Sequence, residues 1–220
     1  MDASGWDTRY SGAELVWSHA PNRWVVAEMA GRPPGKALDL ATGEGRNARW
    51  LAEQGWSVTG VDFSQVGLDR AAAVAAAAEA ERHQPLDVTW LCADITTMEL
   101  PSAAYDLVLL AYVQLPDYQR TPLIRAAAAA LTPGGELLVI GHDTTNLTEG
   151  HGGPQDPAAL YSGIDLERDL QDQISSGALL VERSGRVARD VETPEGLRYA
   201  WDVLFKAQRK DTTKVTFSLG

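Results

Sequence analysis

Short apolar segments alternate with helical segments over the first 140 residues, and this alternation constrains the fold more than any other feature. The segment from Tyr105 to Leu110 is apolar apart from Asp106, as expected for a strand buried on both faces of a sheet. Alternating strands and helices predict a parallel sheet with helices on both faces. The five candidate strands begin at residues 37, 57, 88, 105 and 136.

Two more strands are predicted near the end of the chain. Leu179 to Val187 has strand-like composition, and every second residue from Leu197 to Ala207 is apolar, which is typical of a half-buried strand. The short link over residues 188 to 196 predicts a hairpin at one edge of the sheet.

Composition excludes several classes of protein. Among 220 residues, 30 are acidic and 19 are basic, and this net charge of −11 argues against non-specific binding to nucleic acid. No apolar stretch approaches the ~20 residues of a membrane helix. The first ten residues lack a signal-peptide pattern, so we expect a cytoplasmic protein. Cys92, the single cysteine, excludes an intramolecular disulfide and is predicted to be buried, and the histidine spacing predicts no metal site.

A glycine-rich turn follows the first predicted strand. Gly43-Glu44-Gly45-Arg46-Asn47-Ala48 fits the pattern G-x-G-x-x-G/A, and Asp62 ends the next strand, where a ribose-binding acid is expected. Glycine lets a ligand approach the backbone closely at this edge of the sheet. NAD and S-adenosylmethionine both suit this geometry, so the turn by itself leaves the two open.

Three details favour S-adenosylmethionine over NAD. Asp39 lies inside the first strand, where a dinucleotide has no need of an acid but the ammonium of an aminoacyl ligand needs an acceptor. Asp94 and Ile95 end the third strand. The carboxylate of Asp94 can accept a hydrogen bond from the adenine amino group, and Ile95 can cover the face of the adenine ring. Leu131-Thr132-Pro133-Gly134-Gly135 introduces the fifth strand.

This ordered set resembles the class I S-adenosylmethionine-dependent methyltransferases over roughly residues 6 to 207. The resemblance implies a doubly wound, Rossmann-like α/β fold whose seven-stranded, mostly parallel sheet has one antiparallel strand near the edge. It also implies a set of cofactor-binding residues: Tyr10, Trp17, Asp39, Ala41, Gly43, Gly45, Asn47, Asp62, Phe63, Asp94, Ile95 and Ala111.

A narrower resemblance involves the N-terminal segment. Trp6-Asp7-x-Arg9-Tyr10 and Pro21-Asn22, together with the glycine-rich turn, are similar to the tellurite-resistance-like branch, whose members methylate small molecules. This implies that Tyr10 and Trp17 close over the cofactor and that Arg46 and Asn47 face the active site. We expect one methyltransferase domain over 1–220, with a cover (1–36), a cofactor core (37–140) and a substrate loop with closing strands (141–210).

The turn departs from the family pattern at one point. The usual Asp-x-Gly-Cys-Gly-x-Gly has Ala41-Thr42 in place of Gly-Cys here. Because alanine is strained at positive φ, we expect residue 41 to have φ below zero.

The residues that would contact the methyl acceptor are predicted to come from the segments that follow the fourth and fifth strands. His142 and Asp143 come directly after the fifth strand, so His142 is a candidate base that Asp143 orients. Arg46 is the third candidate catalytic residue. A cation in the first turn of a helix interacts unfavourably with the helix dipole, and this local cost favours a functional reason for the arginine. A polar, glycine-rich segment between His142 and Tyr161 is typical of a lid.

The sequence therefore predicts methyl transfer from S-adenosylmethionine to a small molecule by a monomer or homodimer. One alternative is an NAD-dependent oxidoreductase, although the Tyr-x-x-x-Lys pattern is absent. The other is a cofactor-binding protein without turnover, which the altered Ala41-Thr42 turn would explain.

Overall fold

A computed structural model describes residues 3–12, 15–16 and 18–211. Seven strands form one sheet in the order β3-β2-β1-β4-β5-β7-β6. Strands β1 to β5 are parallel, and β7 runs antiparallel to both β5 and β6, which confirms the predicted fold class. The strands are β1 (Lys36–Leu40), β2 (Ser57–Asp62), β3 (Val88–Cys92), β4 (Tyr105–Ala111), β5 (Leu131–His142), β6 (Leu179–Thr193) and β7 (Gly196–Arg209).

Helices cover both faces of this sheet. The helices are α1 (Ala3–Tyr10), α2 (Arg23–Met29), α3 (Arg46–Glu53), α4 (Gln65–Arg82), α5 (Asp117–Ala130), α6 (Asn146–Glu149), α7 (Gly163–Asp169) and α8 (Gln171–Ser175), with a 3₁₀ turn at Pro157–Ala159. One apolar core joins the sheet to α5 and α7, and another joins the opposite face to α2 and α3. Within the described ranges, no helix is both long and apolar enough to span a membrane.

Local signals fix the ends of several helices as predicted. The hydroxyl of Ser64 accepts a hydrogen bond from the amide of Gly67 at 3.0 Å, so Ser64 caps α4. Gly55 follows α3 with φ 92°, which is the usual place of a glycine after a helix.

Helix α5 begins earlier than its local sequence signal predicts. Thr121-Pro122 suggests a helix beginning there, but α5 begins at Asp117 and contains Pro122. Proline inside a helix forfeits one backbone hydrogen bond. Apolar contacts of Leu123, Ile124 and Ala127 with the core hold the helix in place despite that loss.

Two predictions about burial were also wrong. From Ala200 onward β7 is buried on both faces rather than half-buried, because β5 and β6 flank it and cores lie above and below it. Cys92 is exposed rather than buried, because β3 is an edge strand of the sheet.

Tight packing around Gly45 holds the start of α3 against the sheet. The Trp90 ring of β3 lies over Gly60 and against Gly45, where an added Cβ would sit 2.5 Å from the ring and 2.8 Å from the Cβ of Ala71. Gly45 also has φ 73°, which disfavours any side chain.

Gly45→Ala should therefore destabilise the protein by about 2–4 kcal/mol, from left-handed strain plus overpacking against Trp90. Gly177→Ala is the matched control, because Gly177 has φ 71° but open space around it. It should lose only about 1 kcal/mol. Denaturant unfolding of both variants measures the difference, and equal losses would contradict the packing argument.

Candidate active site

The carboxyl ends of β1, β2, β3 and β4 lie side by side, because these four strands are parallel neighbours. Three carboxylates predicted from the sequence come to this edge: Asp39 in β1, Asp62 at the end of β2 and Asp94 just after β3. Ala111, the last residue of β4, lies at the same edge and is half-buried.

Asp39 and Asp62 hold the glycine-rich turn from two sides. The Thr42 hydroxyl donates to Oδ2 of Asp39 at 2.7 Å, and the amide of Gly43 donates to Oδ2 of Asp62 at 2.8 Å. The other oxygen of Asp62 accepts from the amide of Ser64 at 2.9 Å. Both carboxylates therefore have a structural role in shaping the turn, whatever ligand the turn binds.

Burial strongly disfavours the charged form of Asp39. The residue is 1% exposed, and burial, together with the nearby charge of Asp62, raises the pKa of its carboxyl to about 7. Hydrogen bonds from Thr42 and the amide of Ala48 oppose this shift only in part. A cation brought next to Asp39 would restore its charge, so this position suits an ammonium group.

The predicted conformation of Ala41 was wrong. Ala41 has φ 58°, in the left-handed region, although it lacks the freedom of the glycine it replaces. The backbone keeps the close-approach geometry because Gly43 and Gly45 follow at φ 58° and 73° and the carboxylates fix the turn. Alanine therefore carries strain here of about 1–2 kcal/mol.

Two of the predicted cofactor-binding residues follow β3, and one of them is buried while the other is exposed. Ile95 is buried, whereas Asp94 is exposed and its Oδ1 accepts from the amide and hydroxyl of Thr96 at 2.8 and 2.7 Å. Phe63, which follows Asp62, is half-buried. Asp94 is thus held in a local turn that leaves its second oxygen toward solvent or a ligand.

The N-terminal segment lies against the turn. Tyr10 is buried against Gly67, where an added Cβ would sit 3.1 Å from the ring. The buried Glu44 accepts from Arg70 at 2.7 Å, and Arg70 also donates to the carbonyl of Gly12. Trp17 lies outside the described residues.

Asn47 has a partner within the protein. Its Oδ1 accepts from the amide of Asn22 at 2.8 Å, and Asn22 in turn caps α2 by accepting from the amide of Trp24. The family resemblance implies cofactor contact for Asn47, and the structure shows that it ties the segment before α2 to the start of α3.

Arg46 lies at the start of α3, facing several polar groups. Burial lowers its pKa, while the neighbouring Tyr112 and Asp39 raise it and Arg189 lowers it. The guanidinium of Arg46 therefore interacts electrostatically with both Asp39 in β1 and Tyr112, which follows β4.

His142 contacts a carboxylate that the sequence did not suggest. Its Nδ1 lies 3.6 Å from Oδ1 of Asp202, which is opposite His142 in the pairing of β5 with β7. The ring also lies 4.9 Å from that of Tyr112. Burial lowers the pKa of His142 and outweighs the opposing effect of Asp202. Because the pKa lies below its usual value, the imidazole is neutral at pH 7.

The predicted partner of His142, Asp143, was wrong. Oδ1 of Asp143 accepts from the amide and the hydroxyl of Thr145 at 2.9 and 2.7 Å, and so shapes the following loop. Asp143 follows the last residue of β5, where the chain leaves the sheet, and its carboxylate turns to the loop rather than to the imidazole. The cross-strand neighbour Asp202 takes that position instead.

Asp202 and Arg189 are the residues that sequence analysis missed. One signal was present, because Asp202 interrupts the otherwise apolar run from Tyr199 to Phe205, and a charge in such a run requires a buried partner. Which partner it has depends on the pairing of β5, β6 and β7, which no local pattern fixes.

The loop predicted as a lid folds back over His142. The amide of His151 donates to the carbonyl of Tyr199 at 2.9 Å, and the side chain of Asn146 bonds to Gly152 and Trp201. An added Cβ on Gly153 would lie 3.0 Å from the His142 ring. The loop therefore covers the end of β5.

Comparison with known proteins agrees with this geometry. A family model described as a methyltransferase domain matches residues 37–135. A demethylmenaquinone methyltransferase of Thermus thermophilus is 34% identical over 133 residues, covering 59% of this chain and 55% of the relative. The chain thus spans about half the length of the curated relatives it matches.

Two solved structures share the fold. An S-adenosylmethionine-dependent methyltransferase from Methanosarcina mazei has a TM-score of 0.63 at 16% identity, covering 86% of this chain and 99% of that one. The [4+2]-cyclase SpnF has a TM-score of 0.64 at 16% identity and covers 94% of both chains. At such identities the likeness shows the fold, and a fold does not fix the reaction.

Residues 37–135, which hold the glycine-rich turn, are thus similar to a methyltransferase domain, and the chain shares the fold of a solved S-adenosylmethionine-dependent methyltransferase.

Ala41→Gly should stabilise the protein by about 0.5–1 kcal/mol, because relief of left-handed strain exceeds the entropic cost of glycine. Ala72→Gly, on the exposed face of α4, is the matched control and should destabilise by about 1 kcal/mol. Thermal or denaturant unfolding gives both values. A loss of stability in Ala41→Gly would show that residue 41 is not strained.

Binding of S-adenosylhomocysteine should strengthen about tenfold between pH 6 and pH 8. The raised pKa of Asp39, about 7, leaves the free carboxyl mostly protonated at pH 6, whereas an ammonium ligand needs it charged. Calorimetry across this range should show proton release on binding.

Asp39→Asn should bind the same compound more weakly and with little pH dependence. Asp87→Asn, which alters an exposed carboxyl, should keep the slope of the native protein. If binding by Asp39→Asn still strengthens with pH as in the native protein, the pH dependence of binding comes from a group other than Asp39.

Proposed function

We propose that this chain, acting as one domain over 1–220, transfers a methyl group from S-adenosylmethionine to a small-molecule acceptor. The observation that carries the proposal is the buried carboxylate of Asp39, with its raised pKa, beside a left-handed turn that Asp62 clamps. The match of residues 37–135 to a methyltransferase domain supports the same activity.

The residues at the sheet edge fit the parts of this cofactor. Asp39 would hold the ammonium, whose charge would offset the cost of burying the carboxylate. Each oxygen of Asp62 accepts one amide, and a carboxylate oxygen has room for a further donor, so Asp62 would also accept from ribose hydroxyls. Asp94 and Ile95 would meet the adenine.

The bound cofactor supplies an activated methyl group on a sulfonium. The protein then has to align the acceptor with that carbon at about 3 Å and exclude water. The N-terminal segment serves this purpose, because the Glu44–Arg70 ion pair and buried Tyr10 hold it against the turn. The loop over His142 covers the acceptor side.

We also place the chain in the tellurite-resistance-like branch of small-molecule methyltransferases. The sequence pattern around Trp6 to Tyr10 supports this, as does the position of α1 beside the turn. The relative from Thermus thermophilus is likewise named for a small-molecule acceptor.

The alternatives are weaker. An NAD enzyme gives no role to a buried acid inside β1, whereas an aminoacyl ligand does. A damaged, non-catalytic turn was plausible if Ala41 had changed the backbone, but Ala41 keeps the left-handed conformation.

Calorimetric titration with S-adenosylhomocysteine and, separately, with NAD tests the cofactor class. We expect micromolar binding of the first compound and none of the second. Labelled methyl donor with a panel of small acceptors then tests transfer. Binding of NAD alone would overturn the proposal, and cofactor binding without transfer to any acceptor would favour the non-catalytic alternative.

Asp62→Ala should weaken S-adenosylhomocysteine binding by about 1.5–3 kcal/mol, or roughly tenfold to a hundredfold in Kd, the range for hydrogen bonds to a charged group. Asp190→Ala, on the exposed face of β6, is the control and should leave Kd unchanged. Because Asp62 also holds Gly43, circular dichroism should accompany the titration. A native fold with unchanged Kd would remove Asp62 from the site.

A further inference from the structure

Asp202 is a buried carboxylate around which the acceptor side of the site is built. It is fully buried, and it joins residues from α2, β4, β5 and β6. Its Oδ2 accepts three hydrogen bonds, from Trp24 Nε1 at 3.2 Å, the Tyr112 hydroxyl at 2.8 Å and Arg189 Nε at 2.8 Å.

The second oxygen of Asp202 is much less occupied. Oδ1 accepts only a long contact from Arg189 Nη2, at 3.4 Å, among the hydrogen bonds of the described residues. It lies 3.6 Å from Nδ1 of His142, a buried nitrogen for which the described chain provides no hydrogen-bond partner. A small rotation of the imidazole would join these two atoms.

The surroundings of His142 fix the rest of the ring. Its backbone amide donates to Oε1 of Gln114 at 2.9 Å, its face lies against Tyr112, and Gly153 packs near Cε1. With Nδ1 toward Asp202, Nε2 is the nitrogen left for an acceptor molecule. The charged groups that face the ring are Asp202 from β7 and Arg189 from β6.

We propose that Asp202 is the positioning residue of His142 and that the acceptor is a neutral hydroxyl compound of phenolic or enolic type. This inference rests on the proposed methyl transfer. His142 takes the hydroxyl proton on Nε2 while the acceptor oxygen forms its bond to the methyl carbon. The sulfur–methyl bond breaks with its electron pair remaining on sulfur, and Asp202 stabilises the imidazolium formed.

Neighbouring charges favour a hydroxyl over an ammonium acceptor. The Arg189 guanidinium lies 5.8 Å from the centre of the Tyr112 ring, which packs on His142, and Arg46 also acts electrostatically on Tyr112, so both cations would repel a protonated amine. The same cations stabilise an acceptor oxygen that becomes negative as its proton leaves.

Tyr112 does not compete with His142 as the base. Its hydroxyl donates to Asp202, and burial and the Asp202 charge raise its pKa to about 12. Burial and Arg189 lower the pKa of His142 while Asp202 raises it, so His142 is neutral at the start of the reaction and gains its proton next to a carboxylate.

Nitrogen-15 NMR of the histidine side chains tests the positioning role without an acceptor. In the native protein with S-adenosylhomocysteine, we expect His142 to carry its proton on Nδ1. Asp202→Asn should lower the pKa of His142 and abolish that tautomer preference. An unchanged tautomer and pKa in a folded Asp202→Asn variant would overturn the proposal.

Two further variants guard against a purely structural effect. Asp169→Asn is the matched control, because Asp169 is also buried and paired with an arginine, Arg120, at 2.7 Å. It should lose stability without moving the His142 titration. Should Asp202→Asn fail to fold, Arg189→Gln replaces it: the Asp202 carboxylate stays beside Nδ1 of His142, so His142 should keep its proton on Nδ1, and a proton on Nε2 instead would overturn the proposal.

Methyl transfer to two probes tests the acceptor class. At about pH 7.5 the catechol hydroxyl is still protonated, whereas the thiol of thiophenol is already ionised. Only catechol therefore needs a base to remove its proton. Asp202→Asn should slow catechol methylation by about tenfold or more and thiophenol methylation by less than about twofold. Equal losses would overturn the base role.

Failure of the underlying methyl-transfer proposal has a different signature. In that case S-adenosylhomocysteine would not bind the native protein, or it would bind while no acceptor is methylated, and the NMR titrations would still report whether Asp202 positions His142.

Discussion

The clamp of two buried carboxylates on one backbone turn underlies the rest of the site. Asp39 and Asp62 come from adjacent parallel strands, and they bond to Thr42 and Gly43 on opposite sides of the turn. The turn then accepts left-handed conformations at three positions, including an alanine. Burying these charges is costly, and the cost is tolerated because hydrogen bonds, and in our proposal a cationic ligand, compensate it.

A third buried carboxylate organises the opposite half of the site in a similar way. Asp202 joins the edge hairpin of β6 and β7 to α2 and to the end of β4. Arg46 interacts electrostatically with both Asp39 and Tyr112, so it links the proposed cofactor side to the proposed acceptor side. The antiparallel β7 therefore also carries a buried carboxylate to the end of β5, where we propose that the acceptor binds.

Much of the fold was predictable because its signals are local. Strands β1 and β4 are short and mainly apolar, Ser64 and Gly55 mark the ends of helices, and these patterns depend only on neighbouring residues. Predictions failed where tertiary contacts outweighed local preference. Ala41 adopts a positive φ because its carboxylate-clamped turn requires it, and Cys92 is exposed because β3 lies at an edge.

By itself, the sequence determined the α/β class, the place of the glycine-rich turn, and the acids inside β1, at the end of β2 and just after β3. Those features are periodicities and short spacings, and a parallel sheet brings strand ends together without further information. Only the tertiary structure decided that Asp202 rather than Asp143 faces His142. That partnership joins residues sixty positions apart through the register of β5 with β7, and it depends on pairing between distant strands.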